Sequence, residues 1–190
     1  MSVCSLKGGV GKTSVTLGLA SAALHQGVNA LVIDLDPQGD STLGLLGEPA
    51  STLDIAEVLS SPRTETIDRA IIPTPWSKDA ASHLDIIPGT SRSAVMDSPA
   101  LNQKDVGRLH QALDKRTHQY DLVIIDCPPS LNGLTQMALA ASDRSLVVAE
   151  PGFFAVTAAD RALKLAAEMH EEGIAPRLQP LGLVGKRYLS

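Results

Sequence analysis

The chain has 190 residues, and 16 Lys or Arg against 21 Asp or Glu give it a formal net charge of −5. Apolar residues supply 44% of the chain and charged residues 19%, a composition typical of a globular domain. Aromatic residues supply only 3%, so the core must be built from aliphatic side chains. The acidic balance argues against a protein that coats nucleic acid with its whole surface, although a local basic patch is compatible with it.

The sequence also excludes several other classes of protein. No stretch of about 18 apolar residues exists, so we expect no membrane span. A glycine-rich segment follows Met1 within a few residues, which leaves no room for a signal peptide. Two cysteines, Cys4 and Cys127, are too few for a disulfide framework or a four-ligand zinc site. We therefore expect a cytoplasmic protein with one domain over residues 1–190.

Apolar runs alternate with helical patterns along the chain. The first strand is predicted at residues 3–5, and a helix over residues 13–26 follows, with Gly27 as its C-terminal stop. Further strands are predicted at 29–33, 84–87, 121–125, 145–149 and 181–184, and further helices at 102–117, 131–141 and 156–172. Apolar strands that alternate with helices predict an α/β fold, with a mostly parallel twisted sheet covered by helices on both faces.

Two stretches between these elements carry weaker signals. Ser51 is a candidate N-cap for a short helix that ends near Leu59, with Asp54 three residues later as a weak capping box. Residues 60–83 contain prolines and the only tryptophan, Trp76, and we predict a surface excursion there.

The strongest chemical signal is the segment Lys7-Gly8-Gly9-Val10-Gly11-Lys12-Thr13. Its glycines allow a tight turn in which backbone N–H groups converge on an anion, and the following helix adds the positive end of its dipole. Lys12 can reach the β- and γ-phosphates of a nucleotide, and the Thr13 hydroxyl can ligate Mg²⁺. The alternative is a glycine turn with two surface lysines. Leu6 stands where the strict phosphate-loop motif has glycine, and Lys7 adds a second lysine at the mouth of the loop.

This loop resembles that of the deviant Walker A ATPases, the ParA/MinD group, whose loop reads KGGVGK followed by Ser or Thr. Residues 7–13 match it at every position. The resemblance implies a three-layer P-loop NTPase fold that binds ATP and Mg²⁺. It implies catalytic roles for Lys7 and Lys12, with Lys7 reaching the nucleotide of a partner subunit in an ATP-dependent homodimer. The implied nucleotide-binding residues are Lys7, Gly8, Gly9, Val10, Gly11, Lys12, Thr13 and Ser14.

Acidic residues follow two of the predicted strands. The segment 34–41, which begins with Asp34 and Asp36, resembles the DxDPQ segment of the same family, although a strand end with a polar turn is the simpler alternative. By that resemblance Asp36 is the catalytic carboxylate that orients the attacking water. Asp126 ends the apolar run 122–125 in the arrangement called Walker B. Thr13, Asp36 and Asp126 are therefore the candidate Mg²⁺ residues, partly through water.

The residues after Asp126, Cys127-Pro128-Pro129-Ser130, resemble the ParA branch rather than the MinD branch. That branch implies slow ATP hydrolysis in chromosome or plasmid partitioning, a ParB-like stimulating partner, and nonspecific binding to nucleoid DNA. Cys127 beside the candidate metal site is more simply a buried thiol than a ligand.

The family continues past the last strand with a C-terminal part that supplies most of its DNA contacts, and we expect this chain to lack it. The last twenty residues offer only Arg177, Lys186 and Arg187 as basic residues. Lys186 or Arg187 is a candidate for the adenine pocket, with a simple surface charge as the alternative. The competing function is a non-catalytic or regulatory nucleotide binder. A MinD-like positioning role is disfavoured, because no basic amphipathic helix closes the chain.

Overall fold

The computed structural model describes residues 1–48, 53–78, 80–99, 101–114, 119–150 and 153–185. The strands are β1 Ser2–Cys4, β2 Ala30–Asp34, β3 Ile72–Pro73, β4 Leu84–Ile87, β5 Leu122–Asp126, β6 Arg144–Ala149 and β7 Gln179–Gly185. The α-helices are α1 Lys12–His25, α2 Asp40–Leu46, α3 Ile55–Ser60, α4 Thr64–Ala70, α5 Gln103–Val106, α6 Arg108–Leu113, α7 Gly133–Ala140 and α8 Phe153–Glu171. Short 3₁₀ helices cover Pro75–Ser77 and Ser91–Met96.

The seven strands form one sheet in the order β3-β4-β2-β5-β1-β6-β7. All neighbours are parallel except β3, which runs antiparallel to β4 at one edge. The chain leaves β1 towards β2 on one side and later crosses to β6 on the other side. The strand order therefore reverses at β1, and ligands of open α/β sheets bind at such a point, beyond the carboxyl ends of the strands.

Helices cover both faces of this sheet, as the sequence predicts. In β2, Leu31 and Ile33 point to one face and Ala30 and Val32 to the other, and all four are fully buried. Helices α1 and α2 pack on the second of these faces, whereas α3, α4, α6 and α7 pack on the first. Burial on both faces explains why the central strands are continuous apolar runs rather than alternating ones.

Residues 60–83 contain more regular structure than the sequence predicts. Helix α4 forms there because Ile67 and Ala70, three residues apart, share one face and are buried in the main core cluster. The short strand β3 then pairs with β4. The prediction of a surface excursion between elements is therefore wrong for α4 and β3, although Trp76 is 41% exposed, as expected of such an excursion.

Two helix boundaries also differ from their predictions. Asp54 is the N-cap of α3. Its carboxylate accepts a hydrogen bond from the Ala56 N–H, and the Glu57 carboxylate accepts one from the Asp54 N–H. The predicted cap, Ser51, lies outside the described residues. The helix predicted over 102–117 is divided at Gly107 into α5 and α6, and its last residues, 115–118, also lie outside the described part.

Gly133, the first residue of α7, packs tightly against the loop that precedes α5. A Cβ atom there would lie 2.5 Å from the Met96 carbonyl oxygen and 2.5 Å from Leu101 Cδ1. We expect Gly133→Ala to lower the free energy of unfolding by about 1–3 kcal/mol, because a methyl group at that distance from the backbone forces it to move. Urea denaturation followed by circular dichroism measures this loss.

Gly18→Ala is the matched control, because Gly18 lies inside α1 with no atom within 4 Å of the added methyl group. Alanine there should raise the free energy of unfolding by about 0.4–1 kcal/mol. Equal effects of the two substitutions would show that the packing around Gly133 is not tight.

Candidate functional site

The glycine-rich loop connects β1 to α1 at the carboxyl edge of the sheet. Gly9 has φ +77° and Gly11 has φ +92°, backbone conformations that glycine adopts without steric cost. Gly11 is the N-cap of α1, and neither a capping side chain nor an acidic residue occupies the first turn of that helix. The first-turn N–H groups, which lack intrahelical partners, therefore remain a positive terminus suited to an anion.

The sheet register brings the predicted acidic residues to this loop. Asp126, the last residue of β5, pairs with Asp34 at the end of β2 on one side and with Val3 of β1 on the other. Asp36 follows two residues after β2. The structure thus brings together predicted site residues from three separate parts of the sequence, since parallel strands end at a common edge.

Lys12 lies at the centre of this group. Its Nζ is 2.7 Å from Asp126 Oδ1 and 3.3 Å from Asp36 Oδ2, and the side chain is 7% exposed. Burial by itself would lower the pKa of Lys12, but the charges and hydrogen bonding of Asp126 and the charge of Asp36 outweigh it and raise the pKa. Lys12 is therefore a buried cation shared between two carboxylates.

The other carboxylate oxygen of Asp126 accepts hydrogen bonds from two hydroxyl groups. Thr13 Oγ1 donates to Asp126 Oδ2 at 3.1 Å, and Ser41 Oγ donates to the same oxygen at 2.6 Å. Asp126 is fully buried, so these donors and Lys12 satisfy a charge that water does not reach. Sequence reasoning missed Ser41, although it closes the segment 34–41 and could have been found as a hydroxyl beside the DxD pattern.

Asp34 fixes the loop that carries Asp36. Its Oδ1 accepts from the Asp36 N–H at 3.2 Å, and its Oδ2 accepts from the N–H and the hydroxyl of Thr42 at 2.8 Å and 2.7 Å. The Gly89 N–H donates to Thr42 Oγ1 at 2.8 Å, which ties the end of β4 to the same network. Through these hydrogen bonds Asp34 holds Asp36 and the start of α2 in place.

The charge of Asp34 is costly in this position. Burial raises its pKa to about 7, with further contributions from the nearby Asp126 and Asp36, although the hydrogen bonds from Thr42 oppose the rise. Gly89 approaches so closely that a Cβ atom there would lie 2.8 Å from Asp34 Cγ. The site thus concentrates three carboxylates and compensates them mainly with one buried ammonium group.

Lys7 lies apart from Lys12, at the mouth of the loop. Its Nζ is 2.7 Å from Glu150 Oε2, and the two side chains are 73% and 43% exposed. Glu150 directly follows β6, the neighbour of β1 on the side opposite Asp126. Sequence reasoning missed Glu150. It could have been found as an acidic residue after an apolar strand, the same pattern that identified Asp126.

The predicted buried thiol at Cys127 is confirmed. The side chain is fully buried, and its Sγ lies 3.3 Å from Cys4 Sγ on the neighbouring strand. Lys186 and Arg187, the candidates for the adenine pocket, lie outside the described residues.

A cavity of about 240 Å³ opens above the loop, lined by its glycines, the first turn of α1, and Asp36, Gln38 and Asp40. A larger cavity of about 460 Å³ lies at the opposite edge of the sheet, beside the first residues of β5 and β6. The smaller cavity is the candidate ligand site, because the glycine loop, the helix terminus and the buried lysine all border it.

Comparison with known proteins shows the family to which the chain belongs. A family model described as an AAA domain matches residues 1–179. A ParA family protein of Chlamydia trachomatis is 36% identical over 189 residues, which cover 97% of this chain and 69% of that protein. The chain belongs to the ParA family. The family resemblance carried by residues 7–13 is thereby confirmed.

Two further ParA family relatives are named for their roles. The sporulation initiation inhibitor protein Soj of Bacillus subtilis is 30% identical and covers 82% of this chain, and the chromosome partitioning protein ParA of Myxococcus xanthus is 32% identical and covers 96%. The chain spans 60% of the length of Soj and 62% of that of the Myxococcus protein.

Solved structures of similar fold include one with nucleotide bound. Cobyrinic acid a,c-diamide synthase from Mycobacterium smegmatis with ADP and magnesium matches with a TM-score of 0.85 at 29% identity, over the whole of this chain and 74% of that one. A plasmid partition protein from Borrelia burgdorferi matches with a TM-score of 0.81 at 25% identity, over 99% of this chain and 79% of that one. The predicted P-loop NTPase fold is confirmed. Among the described residues, no helix is both long and apolar enough to cross a membrane.

Asp34 makes the stability of this ParA family protein depend on pH. In the unfolded chain its pKa is near the usual 3.8, whereas in the folded chain it is about 7. The folded state therefore binds this proton more tightly, and the stability that protonated Asp34 contributes is complete below about pH 4 and is lost as the pH rises to about 7. Asn cannot titrate, so the stability of the wild type relative to Asp34→Asn should fall over this range, by up to about 4 kcal/mol at about 1.4 kcal/mol per unit.

Urea denaturation of both proteins at intervals between pH 4 and pH 8 measures this difference. Asp114→Asn, at an exposed carboxylate after α6, is the control for the exchange of an aspartate for an asparagine. A difference that stays constant with pH for Asp34→Asn would show that Asp34 is ionised over the whole range.

Proposed function

We propose that this chain binds Mg-ATP in the cavity above the glycine loop and hydrolyses it slowly, as a cytoplasmic partition ATPase of the ParA family. The observation that carries the proposal is the convergence of Lys12, Thr13 and Asp126 at the carboxyl edge of the sheet, beside a loop with the family's KGGVGKT sequence. A lysine, a hydroxyl and a carboxylate in this arrangement suit a nucleotide triphosphate and its cation.

The loop supplies the phosphate site. Residues 7–14 offer the backbone N–H groups of a glycine turn and of an uncapped helix start, with Gly9 and Gly11 in the left-handed conformation. Lys12 forms ion pairs with Asp36 and Asp126. We infer that it exchanges one of these carboxylates for the β- and γ-phosphates, which keeps the buried ammonium paired throughout.

The oxygen ligands around Asp126 fit a magnesium ion. Thr13, Asp36 and Asp126 would hold it, partly through water, because hydroxyl and carboxylate oxygens are the ligands that Mg²⁺ prefers. When bound, the ion neutralises charge on the phosphate oxygens. Ser41 donates to Asp126 and keeps that carboxylate oriented towards Thr13.

Asp36 is the residue that we assign to the attacking water. It borders the cavity and is held by the Asp34 oxygen at its N–H, so its carboxylate is both buried and fixed in position. A carboxylate placed in this way can accept a hydrogen bond from water and direct it at the γ-phosphate.

Dimerisation and DNA transport complete the proposal. Lys7 is exposed at the mouth of the loop, where a second copy of the chain could present its nucleotide. Family membership supports an ATP-dependent homodimer that binds nucleoid DNA nonspecifically and that releases it after hydrolysis stimulated by a ParB-like partner. The second candidate is a regulatory nucleotide binder without DNA transport, which the net charge of −5 favours over a protein that binds DNA.

Single substitutions separate ATP binding from turnover. Lys12→Ala should weaken ATP binding by about 100-fold, because a charge-assisted interaction with phosphate is lost. Asp36→Ala should retain ATP binding and lower turnover by about 10²–10⁴-fold, because the attacking water loses its acceptor. Fluorescent nucleotide titration and phosphate release measure the two effects.

Lys12→Ala leaves Asp126 and Asp36 without their buried cation, so circular dichroism must first establish that this variant folds. Thr13→Ala gives a second test that leaves the ion pairs in place and should also weaken binding of the magnesium complex. Lys164→Ala, at an exposed lysine of α8, is the control. Wild-type ATP affinity in folded Lys12→Ala protein would disprove the assignment of the site.

Sedimentation distinguishes the two candidate functions. In the presence of ATP, but not of ADP, we expect a dimer that cosediments with nonspecific DNA. A nucleotide-bound monomer that ignores DNA would instead identify the regulatory binder.

A further inference from the structure

The Lys7–Glu150 ion pair joins two segments that are far apart in sequence and adjacent at the carboxyl edge of the sheet. Cys4 of β1 pairs with Val147 of β6, so the residues that follow these two strands leave the sheet side by side. Lys7 Nζ and Glu150 Oε2 meet there at 2.7 Å. The charge of Lys7 also lowers the pKa of Glu150, through the hydrogen bond between them and then through charge attraction.

In this pair Glu150 binds the ammonium group of Lys7, which the proposed dimer needs for contact with the nucleotide of the second copy. A phosphate of a second copy and the Glu150 carboxylate are both oxygen anions, so they compete for Lys7. The pair is solvent-exposed, with side chains 73% and 43% accessible, and an exposed pair is held weakly enough to be exchanged. The pair of Lys12 with Asp126 is buried, and breaking it is costly because water cannot solvate the charges that are left.

We infer that Glu150 is a positioning residue that holds Lys7 on its own protomer and thereby sets the protein concentration at which the nucleotide-bound chain dimerises. Each protomer gives up its Lys7–Glu150 pair when a second copy presents a nucleotide phosphate to Lys7. The inference rests on the proposed ATP-dependent dimer and adds its regulation. Glu150 contacts no reacting atom in this scheme.

Two properties of the dimer follow from this arrangement. A dimer breaks two such pairs, so removal of the Glu150 charge should lower its dissociation constant by about 2- to 30-fold, the combined effect of two exposed pairs. Salt screens exposed charges, so raising the ionic strength should weaken the restraint on Lys7 in the wild type. A variant without the Glu150 charge lacks the ion pair that salt screens.

The test compares the wild type with Glu150→Gln, Glu150→Asp and the control Glu172→Gln, whose glutamate is exposed after α8. Analytical ultracentrifugation with a non-hydrolysable ATP analogue gives the dimer dissociation constant at about 0.05 M and 0.5 M salt. Nucleotide titration at protein concentrations too low for dimers gives the affinity of the monomer.

Glu150→Gln should dimerise more tightly than the wild type by the stated factor at low salt, and this difference should shrink at high salt, with the ATP affinity of its monomer unchanged. Glu150→Asp, which keeps the charge, and Glu172→Gln should remain close to the wild type. Equal dissociation constants for Glu150→Gln and the wild type would overturn this inference but leave the proposed dimer standing. A matching gain in monomer ATP affinity would also overturn it, because Glu150 would then merely repel the nucleotide. If none of the proteins dimerises with nucleotide, the proposed dimer fails and the inference with it.

Discussion

The buried ammonium of Lys12 is the constraint on which the rest of the site depends. Asp126 and Asp34 occupy paired positions on neighbouring strands, and Asp36 follows two residues later, so the sheet edge collects negative charge in a place that excludes water. Such an arrangement is unfavourable unless a cation is present. Lys12, the first residue of α1, supplies that cation. Its ion pairs with Asp36 and Asp126 link the glycine loop to the ends of β2 and β5.

The same charges explain how the chain is prepared for an anionic ligand. Lys12 and Lys7 are each paired with carboxylates of the chain itself, one pair buried and the other exposed. In the proposed function a phosphate would therefore replace a carboxylate that already pairs with the lysine. In that proposal Asp36 and Asp126, the buried partners of Lys12, act within the protomer, and Glu150, the exposed partner of Lys7, lies where a second copy would compete for the lysine. Burial thus separates the proposed roles of two lysines that lie five positions apart in one loop.

Much of the fold was predictable, because the central strands are buried on both faces and their continuous apolar runs leave little ambiguity. The stretch 60–83 was not, since α4 is short and its burial depends on Ile67 and Ala70 meeting a core built by distant residues. The division of the predicted helix 102–117 at Gly107 depends likewise on packing. Local pattern identifies long elements well, whereas short ones form only where tertiary contacts support them.

The sequence by itself determined the family and supplied the candidate residues of the site: the KGGVGKT loop, the two aspartates after the second predicted strand, and Asp126 after a later one. Each of these is a local pattern whose spacing is visible along the chain. Only the tertiary structure decided which partners those residues take, because Ser41 and Asp126, or Lys7 and Glu150, are separated by 85 and 143 positions. Parallel strands bring their carboxyl ends to one edge whatever the sequence between them, and that geometry, not local spacing, places Glu150 beside Lys7 and Asp126 beside Lys12.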